Sequence, residues 1–156
     1  MPDTFTHIAI PSLFSGYLKK YFIVPIFLIG TVLPDYFREF FGLILPFDFY
    51  TMTYPFHSLT GALSVSLLLA SFFRVEIRKA VFLSFFMGQV LHLLFDLTQL
   101  YFNSGSLYIL FPYFKSITIN IIPASYWFTI FCFSFSVYIF IHLFRFIRKK
   151  RYHQSL

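Results

Sequence analysis

Residues 80–101 read AVFLSFFMGQVLHLLFDLTQLY, and the fold turns on how this stretch is taken. As a helix it covers about 33 Å at 1.5 Å per residue, enough for a hydrocarbon core of about 30 Å. Its ionisable side chains are His92 and Asp96, spaced i, i+4, so both project from one face. Gly88, Gln89 and Gln99 extend that stripe, while most of the remaining circumference is apolar. Such a helix fits the inside of a membrane bundle, its polar stripe turned from lipid.

Four further apolar runs lie outward from it, at about 4–18, 21–34, 58–73 and 121–147. The first two are short, and Pro11 and Pro25 interrupt them; the simplest reading is a hairpin of short helices around Lys19-Lys20. Charged residues make up 12% of the 156, about half the soluble average, and mean hydropathy is +0.76. Aromatic residues reach 24%, more than one small core absorbs. The expectation is an all-α, polytopic membrane helix bundle of about five short spans, forming a single membrane domain over 1–156. Disorder, collagen-like repeats and disulfide scaffolds are excluded, since Cys132 is the lone cysteine.

A net charge of +6 does not point to nucleic acid here, because the cations flank the apolar runs. Ten of the twelve Lys and Arg fall in Lys19-Lys20, Arg74/Arg78/Lys79 and Arg145/Arg148 through Arg151. By the positive-inside rule these clusters are cytoplasmic. The N-terminus, 35–57 and 102–120 are then outside, while 74–79 and the basic tail 148–156 are inside. The stretch Arg145–Arg151 is read as touching anionic headgroups without forming a specific site. Residues 1–18 hold no Lys or Arg, so a cleavable signal peptide is not expected.

Counting helical rise from the inner clusters gives the depth of each ionisable group. His7 lies about 18 Å up, Asp35 about 22 Å, His57 about 26 Å, His92 about 20 Å and Asp96 about 26 Å. Three histidines and two aspartates from four segments thus converge on one band in the outer half. Imidazole and carboxylate on adjacent turns suit Zn, Mn or Fe. Blander readings stand beside this one. His92–Asp96 can be an intrahelical hydrogen bond, His57 and His7 interfacial histidines, and Asp35 a helix terminator. His142 sits near the inner face and is read as juxtamembrane, while His153 and the outer Asp3, Glu39 and Asp48 are read as solvated.

The order Thr6-His7, Gly30-Thr31-Val32-Leu33-Pro34-Asp35, His57-Ser58, Gly88 through His92 to Asp96, and Leu110-Phe111-Pro112 resembles the LexA-regulated, membrane-bound, metal-dependent hydrolase family of bacterial inner membranes. The likeness covers roughly residues 4–112. It implies a multi-pass protein of the inner (cytoplasmic) membrane, with His7, Asp35, His57, His92 and Asp96 at the metal-ligand positions. The chain departs from the family pattern at Phe37, at Met52-Thr53, and at Gln99 with Thr98 one position early. With those donors missing, a one-metal site and a site without turnover are both open.

Three functions compete on this pattern. The first is a hydrolase with a divalent metal, Zn foremost, acting on a lipid or lipid-linked phosphoester or ester, with Asp96 or Asp35 as general base. The second is a noncatalytic protein whose His–Asp cluster staples the bundle. The third is a metal-ion or proton transporter subunit, for which the inner halves of the spans offer only serines such as Ser66, Ser71 and Ser84. No Gly-x-Ser-x-Gly elbow supports a serine mechanism. Membrane lipids are the expected partners, and the oligomeric state is not readable.

Overall fold

The computed structural model describes residues 4–44, 55–98 and 123–154, and these are helical with no strand among them. Among the described residues seven α-helices follow in order: α1 (Thr4–Leu13), α2 (Ser15–Leu18), α3 (Val24–Gly30), α4 (Leu33–Ile44), α5 (Leu59–Ser71), α6 (Val75–Leu97) and α7 (Trp127–Gln154). The windows Val75–Leu97 and Phe128–Arg145 are long and apolar enough to cross a membrane. They play different parts. Of the α6 window 44% is buried, against 6% for α7, so α6 is the central element and α7 a peripheral one.

One face of α6 organises the molecule. Val81, Ser84, Phe85, Gly88, Gln89, His92, Leu93 and Asp96 are all buried at helical spacing. Toward its N-terminus this face is apolar, where Val81 and Phe85 join Ala70 of α5, with Ile23, Ile26, Leu69 and Phe82 around them. Toward its C-terminus the face becomes ionisable. Between the two halves, Gln89 donates to Ser66 Oγ of α5 at 2.8 Å. Ser84 Oγ accepts from the Ile23 amide at 2.9 Å, satisfying a backbone donor at the start of α3.

Packing against α6 is closest at α3. A β-carbon on Gly30 would lie 2.7 Å from the Phe85 carbonyl oxygen, and one on Gly88 would collide with the Phe27 carbonyl. The two glycines let the backbones touch, as small residues do at tight helix crossings. Helix α5 begins with Ser58 as its N-cap, whose Oγ accepts from the Gly61 amide at 3.0 Å. Such a cap is worth about 1 kcal/mol. At the other end of α5, Arg78 donates to the Ser71 and Phe73 carbonyls, both at 3.2 Å.

Several elements differ from the sequence expectation. The run 4–18 is broken at Phe14 into α1 and α2, three residues after Pro11, whose missing N–H weakens the helical ladder. Within 35–57, expected as an outer loop, α4 extends to Ile44. Its aromatic residues recur at helical spacing, and Phe37 and Phe41 stack on Phe56 with centroids 5.3 and 5.1 Å away. The turn expected at 74–79 falls at 72–74, so Arg78 and Lys79 already belong to α6, and the helical part of the basic tail reaches Gln154. Residues 99–101, 121–122 and the loop 102–120 lie outside the described residues.

Candidate metal centre

Five polar side chains meet near the C-terminal end of α6: His7 from α1, Asp35 from the first turn of α4, His57 from the short helical turn 55–57, and His92 and Asp96 from α6. None is more than 6% exposed. Each is delivered by a local break or cap in the chain. Thr31 and Val32 turn the chain out of α3 so that Asp35 opens α4, where a carboxylate is favoured by the helix N-terminus. The Ser58 cap fixes the residue after His57. His92 and Asp96 need only the i, i+4 spacing of α6.

The donor atoms converge. Asp35, His57, His92 and Asp96 each offer one ligand atom, and these four lie within 4.8 Å of one another. His57 Nε2 is 3.2 Å from Asp35 Oδ1, and His92 Nε2 is 3.3 Å from Asp96 Oδ2. The diagonal pairs are His92 to Asp35 at 3.7 Å and His57 to Asp96 at 4.0 Å. Ligands about 2.1 Å from a tetrahedral zinc ion stand about 3.4 Å apart. The four imidazole–carboxylate separations bracket that value and every pair lies within 4.8 Å, so the set could close on one ion by drawing its wider pairs together.

The hydrogen-bond pattern around His92 calls for a proton or a metal cation between these groups. His92 Nδ1 is 2.9 Å from the Thr31 carbonyl oxygen, and only an N–H can donate to a carbonyl. The proton of a neutral His92 therefore sits on Nδ1, and the lone pair of Nε2 faces two carboxylates. Lone pair against lone pair is repulsive unless a proton or a metal ion lies between them. Among the described residues, His92 Nε2, Asp35 Oδ2 and both Asp96 oxygens have no hydrogen-bond partner. Two buried carboxylates cost several kcal/mol each when uncompensated, and one divalent cation cancels their charge.

His7 is brought to the same place, beside the other four. Its ring packs on His92, centroids 4.3 Å apart, and its Nε2 lies 3.7 Å from Asp96 Oδ1. It borders the centre from the α1 side and lies outside the set of four convergent donors. His142 is exposed and packs on Tyr138, centroids 4.3 Å apart. Of the stripe residues, Gln89 turns to Ser66 and serves helix packing, while Gln99 lies outside the described residues. The Thr31 carbonyl is the contributor that residue types cannot reveal, because a backbone acceptor carries no side-chain signature. It holds His92 in one tautomer, as outer partners of metal-bound histidines do.

Fold and site together define an all-helical protein with a buried two-histidine, two-aspartate centre that could hold a divalent metal ion. Compared with known proteins, the chain matches no family model, no curated protein and no solved structure. The likeness to the LexA-regulated hydrolases therefore rests on its short motifs alone.

Proposed function

We propose that the chain is a multi-pass protein of the bacterial inner membrane that holds one divalent ion, zinc foremost, and hydrolyses a lipid or lipid-linked phosphoester or ester at the outer leaflet. The observation that carries this reading is the convergence of Asp35, His57, His92 and Asp96 with a carbonyl-fixed His92. The membrane part is supported by the two long apolar helices and by the exposed apolar side chains of α5 and α7. A divalent ion bound there supplies Lewis acidity, polarising a substrate oxygen and acidifying water. The chain's own residues then divide the work. His57 and His92 hold the ion, one carboxylate completes the hold, and the other accepts a proton as general base. Asp35 suits the base role, because its contacts with His57 and His92 both run through Oδ1, whereas Asp96 faces imidazoles with both of its oxygens.

A specific observation favours the staple reading as well. Four protein donors close a tetrahedral shell, the mark of a structural zinc site, whereas catalytic sites keep a position open. Transport has less support, since Gln89, Ser66 and Ser84 commit their hydrogen bonds to helix packing. The test is turnover by zinc-loaded protein in vesicles carrying phospholipid and lipid-linked phosphoester substrates, beside Asp35→Asn. We expect Asp35→Asn to retain zinc and to lose about 100-fold or more in rate, the usual worth of a positioned base. Full zinc loading with no turnover in the wild type would assign the staple function instead.

A further inference from the structure

Helix α7 touches the rest of the protein mainly through α1, and the seam between them is incomplete. At its upper end Phe5 packs edge-on against Phe131 and Tyr138, and Thr6 Oγ1 lies 3.4 Å from Ser134 Oγ. Beside that contact a groove of about 400 Å³ opens, lined by Ile10 and Leu13 on one side and Ile130, Phe133, Ser134 and Val137 on the other. The lining is almost wholly apolar. Along α7 the groove runs from Thr129 to Val137, about 12 Å at the helical rise. It is long enough for part of one extended hydrocarbon chain.

A cation lies next to one wall of the groove. Arg145 lies two turns beyond Val137 on the same face of α7, and its guanidinium donates to the Leu13 carbonyl at 2.6 Å. Leu13 is itself a wall of the groove, so the guanidinium lies beside the part of the groove that Leu13 forms. One N–H of the guanidinium is committed to Leu13, and Arg145 remains exposed, leaving donors for an anion. Arginine matches phosphate oxygens in geometry as well as charge. An apolar channel beside a guanidinium complements an amphiphile with an anionic phosphate head and a hydrocarbon tail.

We infer that α1 and α7 form a specific site for one anionic phospholipid of the inner leaflet, its phosphate on Arg145 and one acyl chain in the groove. This rests on the membrane part of the reading above and not on the hydrolase part. The lipid fills the seam that α7 leaves open, and α1 carries His7 to the metal centre, so the lipid also braces the helix beside that centre.

Native mass spectrometry of the detergent-purified full chain tests this, after confirming that the chain stays with carbonate-washed membranes. Phosphatidylglycerol and phosphatidylcholine of matched chains are titrated against wild type, Arg145→Gln and Val137→Phe. We expect one phosphatidylglycerol retained per chain, at least fivefold over phosphatidylcholine. Arg145→Gln should abolish the preference, and Val137→Phe should weaken retention of both lipids by filling the groove. Metal content, read on the same samples, should be unchanged and reports that the variants fold. A membrane-bound wild type without headgroup preference, or an Arg145→Gln variant that keeps it, would overturn the lipid site alone. Recovery of the chain in the soluble fraction would overturn the membrane reading and the lipid site with it.

Discussion

Replacing His92 and Asp96 together by alanine is expected to strip the protein of its ion, from about one per chain to less than about 0.1. The two residues supply half of the convergent donors, and His92 is the donor whose tautomer is fixed by the Thr31 carbonyl. His57 and Asp35 alone leave a divalent ion two ligands short of a tetrahedral shell. The stability consequence has a sign that separates a metal site from a polar staple. A chelator removes a stabilising ligand from the wild type, worth about 4 kcal/mol at a thousandfold excess over Kd. It also leaves Asp35 and Asp96 buried with no counter-charge other than a proton taken up by the neighbouring histidines. The double variant has neither an ion to lose nor a second carboxylate to repel. Chelation should therefore lower the wild-type Tm by several degrees and leave that of the variant unchanged, read by thermal unfolding in detergent. Equal response in both proteins would mean that His92 and Asp96 do not hold a metal.

The second large effect is expected at a position that contacts no ligand. A valine at Gly88 would press its β-carbon into the Phe27 carbonyl and to 2.9 Å from the Gly30 Cα. These are backbone atoms, so no rotamer relieves the clash and α3 must move away from α6. Overpacking of this kind costs about 1–3 kcal/mol, and branching at Cβ places valine at the upper end. In lipid the loss is felt in full, because helix association there depends on packing rather than on apolar burial. Thr31 follows Gly30 directly, so its carbonyl is carried away from His92 Nδ1. Loss of such an outer partner weakens metal binding about 10–100-fold. Gly88→Ala should show a smaller version of both effects. Gly16→Ala should show neither, since nothing lies within 4 Å of the added carbon. Metal titration and thermal unfolding of the three variants decide the matter; unchanged affinity in Gly88→Val would detach the α3–α6 crossing from the centre.

Much of the site is legible in the sequence for a simple reason. In an apolar chain the cost of burying ionisable groups makes each one conspicuous, and basic clusters supply a ruler from which depth can be counted. His92 and Asp96 follow from one helical spacing, and Asp35 and His57 from their shared depth. What the ruler cannot show is direction around each helix. His7 reaches the right level, yet it packs on the ring of His92 and stands beside the four converging donors. Helix α4 is hidden because 35–57 mixes aromatic, charged and proline residues, and its order comes from Phe37 and Phe41 stacking on Phe56. Phe37 stands where the hydrolase family often has a second aspartate, and here its ring packs α4 onto the turn that carries His57. The departures at Met52, Thr53 and Gln99 lie outside the described residues. The Thr31 carbonyl has no sequence signature at all.

The central claim is that four buried side chains from three segments form the site of one metal ion. The most direct measurement is metal content of the detergent-purified wild type after reconstitution with zinc, manganese or iron and removal of excess, with X-ray absorption at the metal edge. The account predicts about one ion per chain in a shell of nitrogen and oxygen donors that includes two imidazoles. A wild-type protein that takes up no ion on reconstitution, or whose bound ion shows no imidazole scattering, would contradict it.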